Sequence, residues 1–413
     1  MRISILKGFA DVYPPEVKIW QKIEDTAKGL FALYGYEELK LPVLEHTELF
    51  HRGIGGDTDI VEKEMYTFTD KGGRSITLRP EGTASAVRCY IENQLFNMPS
   101  PQRFYYYGPM FRYERPQRGR LRQFYQIGCE AFGVDHPALD AEVLVMIHNI
   151  LTSLGLNSLQ LELNSIGCEV CRPAYRIALI DFFKGRLSHL CADCNRRYGS
   201  NPLRIMDCKV PACIEQRQGA PVIKEYLCED CAGHYQRLKT ILQEMGLTYR
   251  ENDTLVRGLD YYTKTTFEFT TDLLGAQKAV AAGGRYDRLV EEFGGPATPA
   301  VGFAMGMERL VSLLKDRVSL ERPTFVFIAS LGEPAEKASY RVAGQLRANG
   351  IAATVNFGHG SLKNQLRKAD RLGVTHVLII GDNELSRGIV NWKDLRNGKQ
   401  GECTLEEFIK LVR

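Results

Sequence analysis

Five arginines lie between Arg112 and Arg122, inside residues 111–130, FRYERPQRGRLRQFYQIGCE. Pro116 and Gly119 interrupt the run, and Phe111, Tyr113, Phe124 and Tyr125 flank it. Guanidinium groups carry forked donors that match phosphate oxygens two at a time and stay charged at any working pH. The stretch therefore suits phosphate binding, although the same composition also serves as a solvated basic loop. A second candidate is Leu78-Arg79-Pro80-Glu81-Gly82-Thr83. A glycine between a carboxylate and a hydroxyl lets the backbone approach a small ligand closely. Glu81 and Thr83 could satisfy an ammonium group, and could equally cap a following helix over residues 84–92. The third candidate is a set of thiols: Cys168 with Cys171, Cys191 with Cys194, Cys208 with Cys213, and Cys228 with Cys231. Eight of the eleven cysteines thus fall within 64 residues as close pairs. Paired thiols of this spacing fit tetrahedral zinc, so four pairs could make two structural sites, or one site with spare thiols, or simply be buried without metal.

These residues need elements to position them. Alternation over residues 111–115 and 121–127 predicts two half-buried strands joined by a long basic hairpin. Before them, Val17, Trp20, Ile23, Ala27, Leu30 and Phe31 recur at helical spacing and predict an amphipathic helix ending near Gly35. Residues 36–44 read as a strand carrying Pro42, 53–61 as a glycine-rich loop, and 65–68 with 75–78 as a hairpin. A strand is expected over 102–109, a helix over 140–154, and strands over 159–163, 248–255 and 263–270. After a charged linker at 315–323, strands at 324–329, 352–356 and 377–380 alternate with helices at 335–349, 362–372 and 404–412. That pattern predicts a small α/β domain with a mixed sheet. On the 362–372 helix, Lys363, Arg367 and Arg371 recur at steps of four as one basic stripe.

FRYERPQRGR with RQFYQIGCE resembles motif 2 of a class II aminoacyl-tRNA synthetase, and specifically of the histidyl-tRNA synthetases. The helix, strand and proline before it resemble motif 1, which in the family builds the dimer interface. Arg257-Gly258-Leu259-Asp260-Tyr261-Tyr262 and Gly283-Gly284-Arg285-Tyr286 resemble the two histidine motifs, and residues 301–310 resemble motif 3. The resemblance implies an α+β catalytic domain, an antiparallel sheet flanked by helices, with a helical insertion and a C-terminal α/β anticodon-binding domain. The expected division is 1–165 and 246–320 for the catalytic domain, 166–245 for the insertion and 324–413 for the anticodon-binding domain. It implies activation of L-histidine by ATP to histidyl-adenylate with release of pyrophosphate, then transfer to histidine tRNA. Arg112 and Glu114 would hold the nucleotide and Arg309 its γ-phosphate. Arg257 would sit between the amino-acid carboxylate and the α-phosphate, and Mg2+ would supply the remaining charge. Glu130 with Tyr261 or Tyr262 would read the imidazole, while Glu81, Gly82, Thr83 and Gln126 hold the ammonium end. Arg115, Gln117, Arg118 and Arg120 would reach the tRNA acceptor stem, and Lys363, Arg367 and Arg371 the anticodon side.

A chain of 413 residues has room for two or three cores, and 44% hydrophobic with 25% charged residues is ordinary for a globular enzyme. A formal charge of +3 does not announce a nucleic-acid binder, so RNA contact must come from local patches. No apolar run reaches bilayer length, and Pro14 and Pro15 interrupt any signal-like start, so a cytoplasmic protein with no membrane contact is expected. Thiols in such a compartment argue against a disulfide framework. Two rivals follow from the same resemblance: a non-catalytic regulatory paralogue of ATP phosphoribosyltransferase, and a different class II synthetase. The retained arginines and the region after Thr324 tell against the first, and the two histidine motifs against the second.

Overall fold

The computed structural model describes residues 3–55, 58, 60–116, 119–274, 278–317, 323–358 and 360–413. The chain divides into two compact units, Met1–Val318 and Ser319–Arg413. The first is built on an eight-stranded sheet whose order is Glu37–Glu38, Gln102–Phe111, Gln123–Phe132, Ala300–Gly306, Ala279–Arg285, Thr263–Thr270, Gln160–Ser165 and Arg250–Glu251. The six long central strands run antiparallel, and the two-residue strands at each edge add in parallel.

Helix Glu16–Leu33 buries Trp20, Ile23, Ala27 and Phe31 of the predicted stripe and adds Ile19, while Val17 and Leu30 are half-buried; Phe31 stacks on Tyr105 at 4.6 Å between ring centroids. Helix Pro137–Ser153 is capped by His136, whose Nδ1 accepts from the Ala138 amide at 3.2 Å, and is buried around much of its circumference. Its Asp140 carboxylate accepts from the fully buried Arg285 of the sheet, with both oxygens 3.2 Å from Nε. That pair ties the helix layer to the strand beneath it.

Several predicted elements differ. The 36–44 strand is two short pieces, Glu37–Glu38 in the large sheet and Leu44–His46 in a separate three-stranded sheet, because Pro42 breaks the ladder between them. Of the loop expected over 53–61, Gly53 and Ile54 end helix Thr47–Ile54 and Ile60 and Val61 open the helical turn Ile60–Glu64, Gly55 and Thr58 lie outside both, and 56, 57 and 59 lie outside the described residues. The 248–255 strand shrinks to Arg250–Glu251. The first arm of the basic hairpin ends at Phe111: Arg112 still bonds Arg122 across the gap (N to O, 2.9 Å), but the Tyr113 amide turns to the Glu64 carbonyl at 2.6 Å.

In the insertion, short helices surround a small core of Tyr175, Leu179, Phe183, Leu190, Ile205, Met206 and Ile223, together with buried cysteines. Its last helix, Glu229–Glu244, packs on helix Pro137–Ser153 and strand Thr263–Thr270. The second unit holds the expected mixed sheet, ordered Ala352–Val355, Phe325–Ser330, His376–Ile380, Val390–Asp394 and Gln400–Cys403. The first three strands are parallel; the last two, which periodicity did not reveal, are antiparallel.

Candidate active site

Strand register builds the site. Phe124, Gln126, Gly128 and Glu130 alternate onto one face of strand Gln123–Phe132. Opposite them on the next strand stand Gly306, Ala304 and Gly302, and beyond these Ala282 and Gly284. This row of small residues leaves a cleft above the sheet whose lining includes Glu81, Thr83, Gln126, Ala282, Ala304 and Tyr261. Glycine is required at two points of close approach: a Cβ at Gly302 would overlap the Glu130 carboxylate, and one at Gly82 would overlap the Tyr106 ring.

Three predicted arginines converge on the cleft from separate elements. Arg112, just past the first motif strand, donates from Nε to the Pro80 carbonyl at 2.8 Å and lies 5.2 Å over the Phe124 ring. Arg309 enters from the first turn of helix Met307–Leu314 and donates from Nη1 to the Ala279 carbonyl at 2.6 Å. Arg257 pairs with Glu268 and sits 5.7 Å from the Tyr262 ring. Burial and the nearby Arg120 and Arg112 weaken the hold of Arg309 on its proton, as mutually repelling cations awaiting an anion would. Glu114 balances part of this charge, 3.0 Å from Arg120. Four buried polar atoms on described residues of the lining have no hydrogen-bond partner: Gln126 Oε1, Arg257 Nε, the Tyr261 hydroxyl and Glu114 Oε2, the last of which is ion-paired with Arg120. Such groups are costly unless a ligand satisfies them.

Glu81 does cap the following helix: its carboxylate accepts from the Thr83 amide at 2.7 Å and the Ala84 amide at 2.8 Å, and it also lines the cleft. The cap contacts leave it on the cleft wall, a position compatible with the ligand reading. Glu130 lies one layer deeper than the lining and is 1% exposed. Its Oε1 accepts from Thr83 Oγ1 at 2.7 Å and Tyr106 hydroxyl at 3.0 Å, and its Oε2 accepts from Tyr286. Burial pushes its carboxyl up to about 8 despite the three donors.

Tyr106, Tyr286 and Glu268 were missed from the sequence as site residues. The alternation over 102–109 and over 263–270 placed Tyr106 and Glu268 on strands, and Tyr286 stood in the second histidine motif, but nothing in their spacing showed which partners they would meet. Glu308, also on the lining, accepts from the Tyr125 amide at 2.9 Å, and burial pushes its carboxyl up to about 7.

Of the acceptor-stem candidates, Arg120 lines the cleft and Arg115 is exposed, while Gln117 and Arg118 lie outside the described residues. Lys363, Arg367 and Arg371 are all exposed on one face of helix Leu362–Arg371. The eight paired cysteines form two groups, Cys168, Cys171, Cys228 and Cys231, and Cys191, Cys194, Cys208 and Cys213.

The family model described as histidyl-tRNA synthetase matches residues 8–169 and 216–310, and the anticodon binding domain model matches residues 325–413. The chain belongs to the histidyl-tRNA synthetase family. A histidine–tRNA ligase of Thermodesulfovibrio yellowstonii is 50% identical over 100% of this chain and 99% of its own length. One of Geobacter sulfurreducens is 51% identical over 98% and 97%. The crystal structure of apo Staphylococcus aureus histidyl-tRNA synthetase superposes with a TM-score of 0.84 at 37% identity, covering all of both chains. The class II fold with its anticodon-binding domain is thus established, and with it membership of a ligase family. Residues 170–215, unmatched by the synthetase model, carry five of the paired cysteines.

Proposed function

We propose that this histidine–tRNA ligase activates histidine in the cleft where Arg112, Arg257 and Arg309 converge, and that the convergence around unpartnered Gln126 Oε1 and Arg257 Nε is the observation that carries the assignment. The substrate carboxylate must attack an anionic phosphate, so the site has to neutralise charge before it can align the attack. Arg112 meets the α-phosphate and stacks on the nucleotide with Glu114 behind it, Arg309 takes the γ-phosphate, and Arg257 lies between carboxylate and α-phosphate. Mg2+ bound with ATP adds charge neutralisation on the polyphosphate. The attacking carboxylate is already ionised, so adenylate formation needs no general base.

Glu81, Thr83 and Gln126 hold the ammonium group against the Gly82 backbone. The imidazole extends toward Glu130, with Tyr261 or Tyr262 on its other nitrogen. An ionised carboxylate offers about four lone-pair sites, and the three hydroxyls on Glu130 use three of them. The fourth accepts the imidazole N–H. Apolar competitors leave these buried groups unpaired, which gives selectivity of about 10⁴–10⁵ without editing.

Arg115, Gln117, Arg118 and Arg120 then face the acceptor stem, and Lys363, Arg367 and Arg371 the RNA backbone near the anticodon. The chain works as a cytoplasmic homodimer through the helix Glu16–Leu33 region. No described helix is long and apolar enough to cross a membrane. A regulatory paralogue would have no use for three arginines around unpartnered polar atoms in one cleft. Charging of histidine tRNA with labelled histidine, dependent on ATP, tests the assignment; no charging by folded protein would refute it.

A further inference from the structure

We propose that the insertion holds two structural zinc ions, each in its own set of four cysteine thiolates: a root site of Cys168, Cys171, Cys228 and Cys231, and a distal site of Cys191, Cys194, Cys208 and Cys213. In each group all four sulfurs lie within 4.8 Å of one another, and none is in a disulfide. The distances decide between chemistries. A disulfide brings sulfurs to about 2.05 Å, whereas a tetrahedron with zinc–sulfur bonds of about 2.3 Å has sulfur–sulfur edges of about 3.8 Å. Cys168 lies 3.7 Å from Cys171 and 3.8 Å from Cys228, and Cys191 lies 4.0 Å from Cys208. The sulfurs also receive backbone donors. The Cys228 amide points at Cys171 Sγ at 3.2 Å, the Cys191 amide at Cys213 Sγ at 3.2 Å, and the Cys194 amide at Cys191 Sγ at 3.5 Å. Amide donors to sulfur stabilise the thiolate form that a metal needs.

The pairing resolves what spacing left open. The first and last pairs combine, and the two inner pairs combine, so one site is nested inside the loop closed by the other. The root site fastens the start of helix Glu229–Glu244 to the turn that follows strand Gln160–Ser165. That turn leads into Arg172, whose guanidinium donates to the carbonyls of Ile166, at 3.4 Å, and of Tyr262. The distal site lies within the insertion's own core, where Cys194, Cys208 and Cys213 are buried beside Leu190, Ile205 and Ile223. So small a core gains little from hydrophobic burial alone, and metal binding offsets the cost of ordering it. Four thiolates leave no open coordination position, so both ions are structural and neither takes part in the ligase reaction.

Metal analysis of the full chain, purified without chelator, tests this without histidine, ATP or tRNA, so its outcome is separate from that of the proposed function. Two zinc ions per chain are expected. The pair Cys228→Ala with Cys231→Ala, and the pair Cys208→Ala with Cys213→Ala, should each lower the content to one. Zinc at one or none per chain in the unsubstituted protein, iron in its place, or full zinc retained in either variant would overturn the proposal. Should a variant fail to fold, cobalt loaded into the unsubstituted chain decides. Thiolate-to-cobalt charge transfer of the intensity expected for eight thiolates supports two sites, and half that intensity or none contradicts them.

Discussion

Arg257 stands where the proposed carboxylate and α-phosphate positions meet. Its guanidinium is held by Glu268 and Tyr262, yet its Nε is buried and unpartnered, so its position is fixed by protein while part of its donor capacity is left over. Arg257→Ala is expected to lower histidine-dependent pyrophosphate exchange by a factor on the order of 10² to 10³, about 3 kcal/mol of transition-state stabilisation. Its circular dichroism should match the unsubstituted protein, and exchange at a near-normal rate would remove Arg257 from the reaction. Glu130 carries a pH prediction. Burial pushes its carboxyl up to about 8, and in the proposed site it offers a fourth acceptor position to the imidazole N–H, beside its three hydroxyl partners, when it is ionised. The kcat/KM for histidine should therefore rise with pH until it levels above about 8. Glu130→Gln should remove that limb and raise the histidine KM by about 5- to 150-fold, the range for leaving buried polar partners unmatched, with little change in the KM for ATP. A profile that keeps the limb in the variant would assign it to another group. The sequence named Glu130 but could not show its three hydroxyl partners, because Thr83, Tyr106 and Tyr286 come from separate segments that only the folded sheet brings together.

At the scale of elements, the pairing of Arg285 with Asp140 joins the sheet to helix Pro137–Ser153 inside the core, with neither side chain reaching solvent. Removing one partner of a buried ion pair leaves the other charge uncompensated, so Asp140→Ala should cost about 3–5 kcal/mol in denaturant unfolding. A loss below 1 kcal/mol would show that Asp287, 3.1 Å from Arg285, or the Val134 carbonyl at 3.0 Å can carry the guanidinium alone. Long periodic segments were legible in the sequence: the helix at 16–33 and the strand at 263–270 lie where apolar spacing put them. The reading failed where alternation was borrowed by a loop. Residues 111–115 alternate because Tyr113 packs edge-on against Tyr66, 5.5 Å between centroids, and carries Arg122 over its ring at 3.9 Å. Those contacts belong to the loop, not to a strand pair.

For the whole molecule, the proposed function assigns amino-acid activation to the first compact unit and RNA binding near the anticodon to the second. The exposed stripe of Lys363, Arg367 and Arg371 belongs to the second unit, and the cleft to the first. Replacing Lys363 and Arg367 with glutamate should weaken tRNA charging and reduce its salt dependence, since fewer counterions are released on binding. Pyrophosphate exchange without tRNA should stay within about twofold, because surface charge substitutions remote from the site rarely disturb it. Equal loss in both assays would mean that the stripe supports the fold and not the RNA. The family was readable because five motifs stand in order along the chain, whereas the nested pairing of the cysteines required the folded insertion.

In the proposed function one cleft both selects histidine and activates it with ATP. Pyrophosphate exchange by the purified protein without tRNA, with each amino acid supplied separately, tests it most directly. Exchange with histidine alone is expected. Exchange with another amino acid, or none with any amino acid from folded protein that binds ATP, would contradict it.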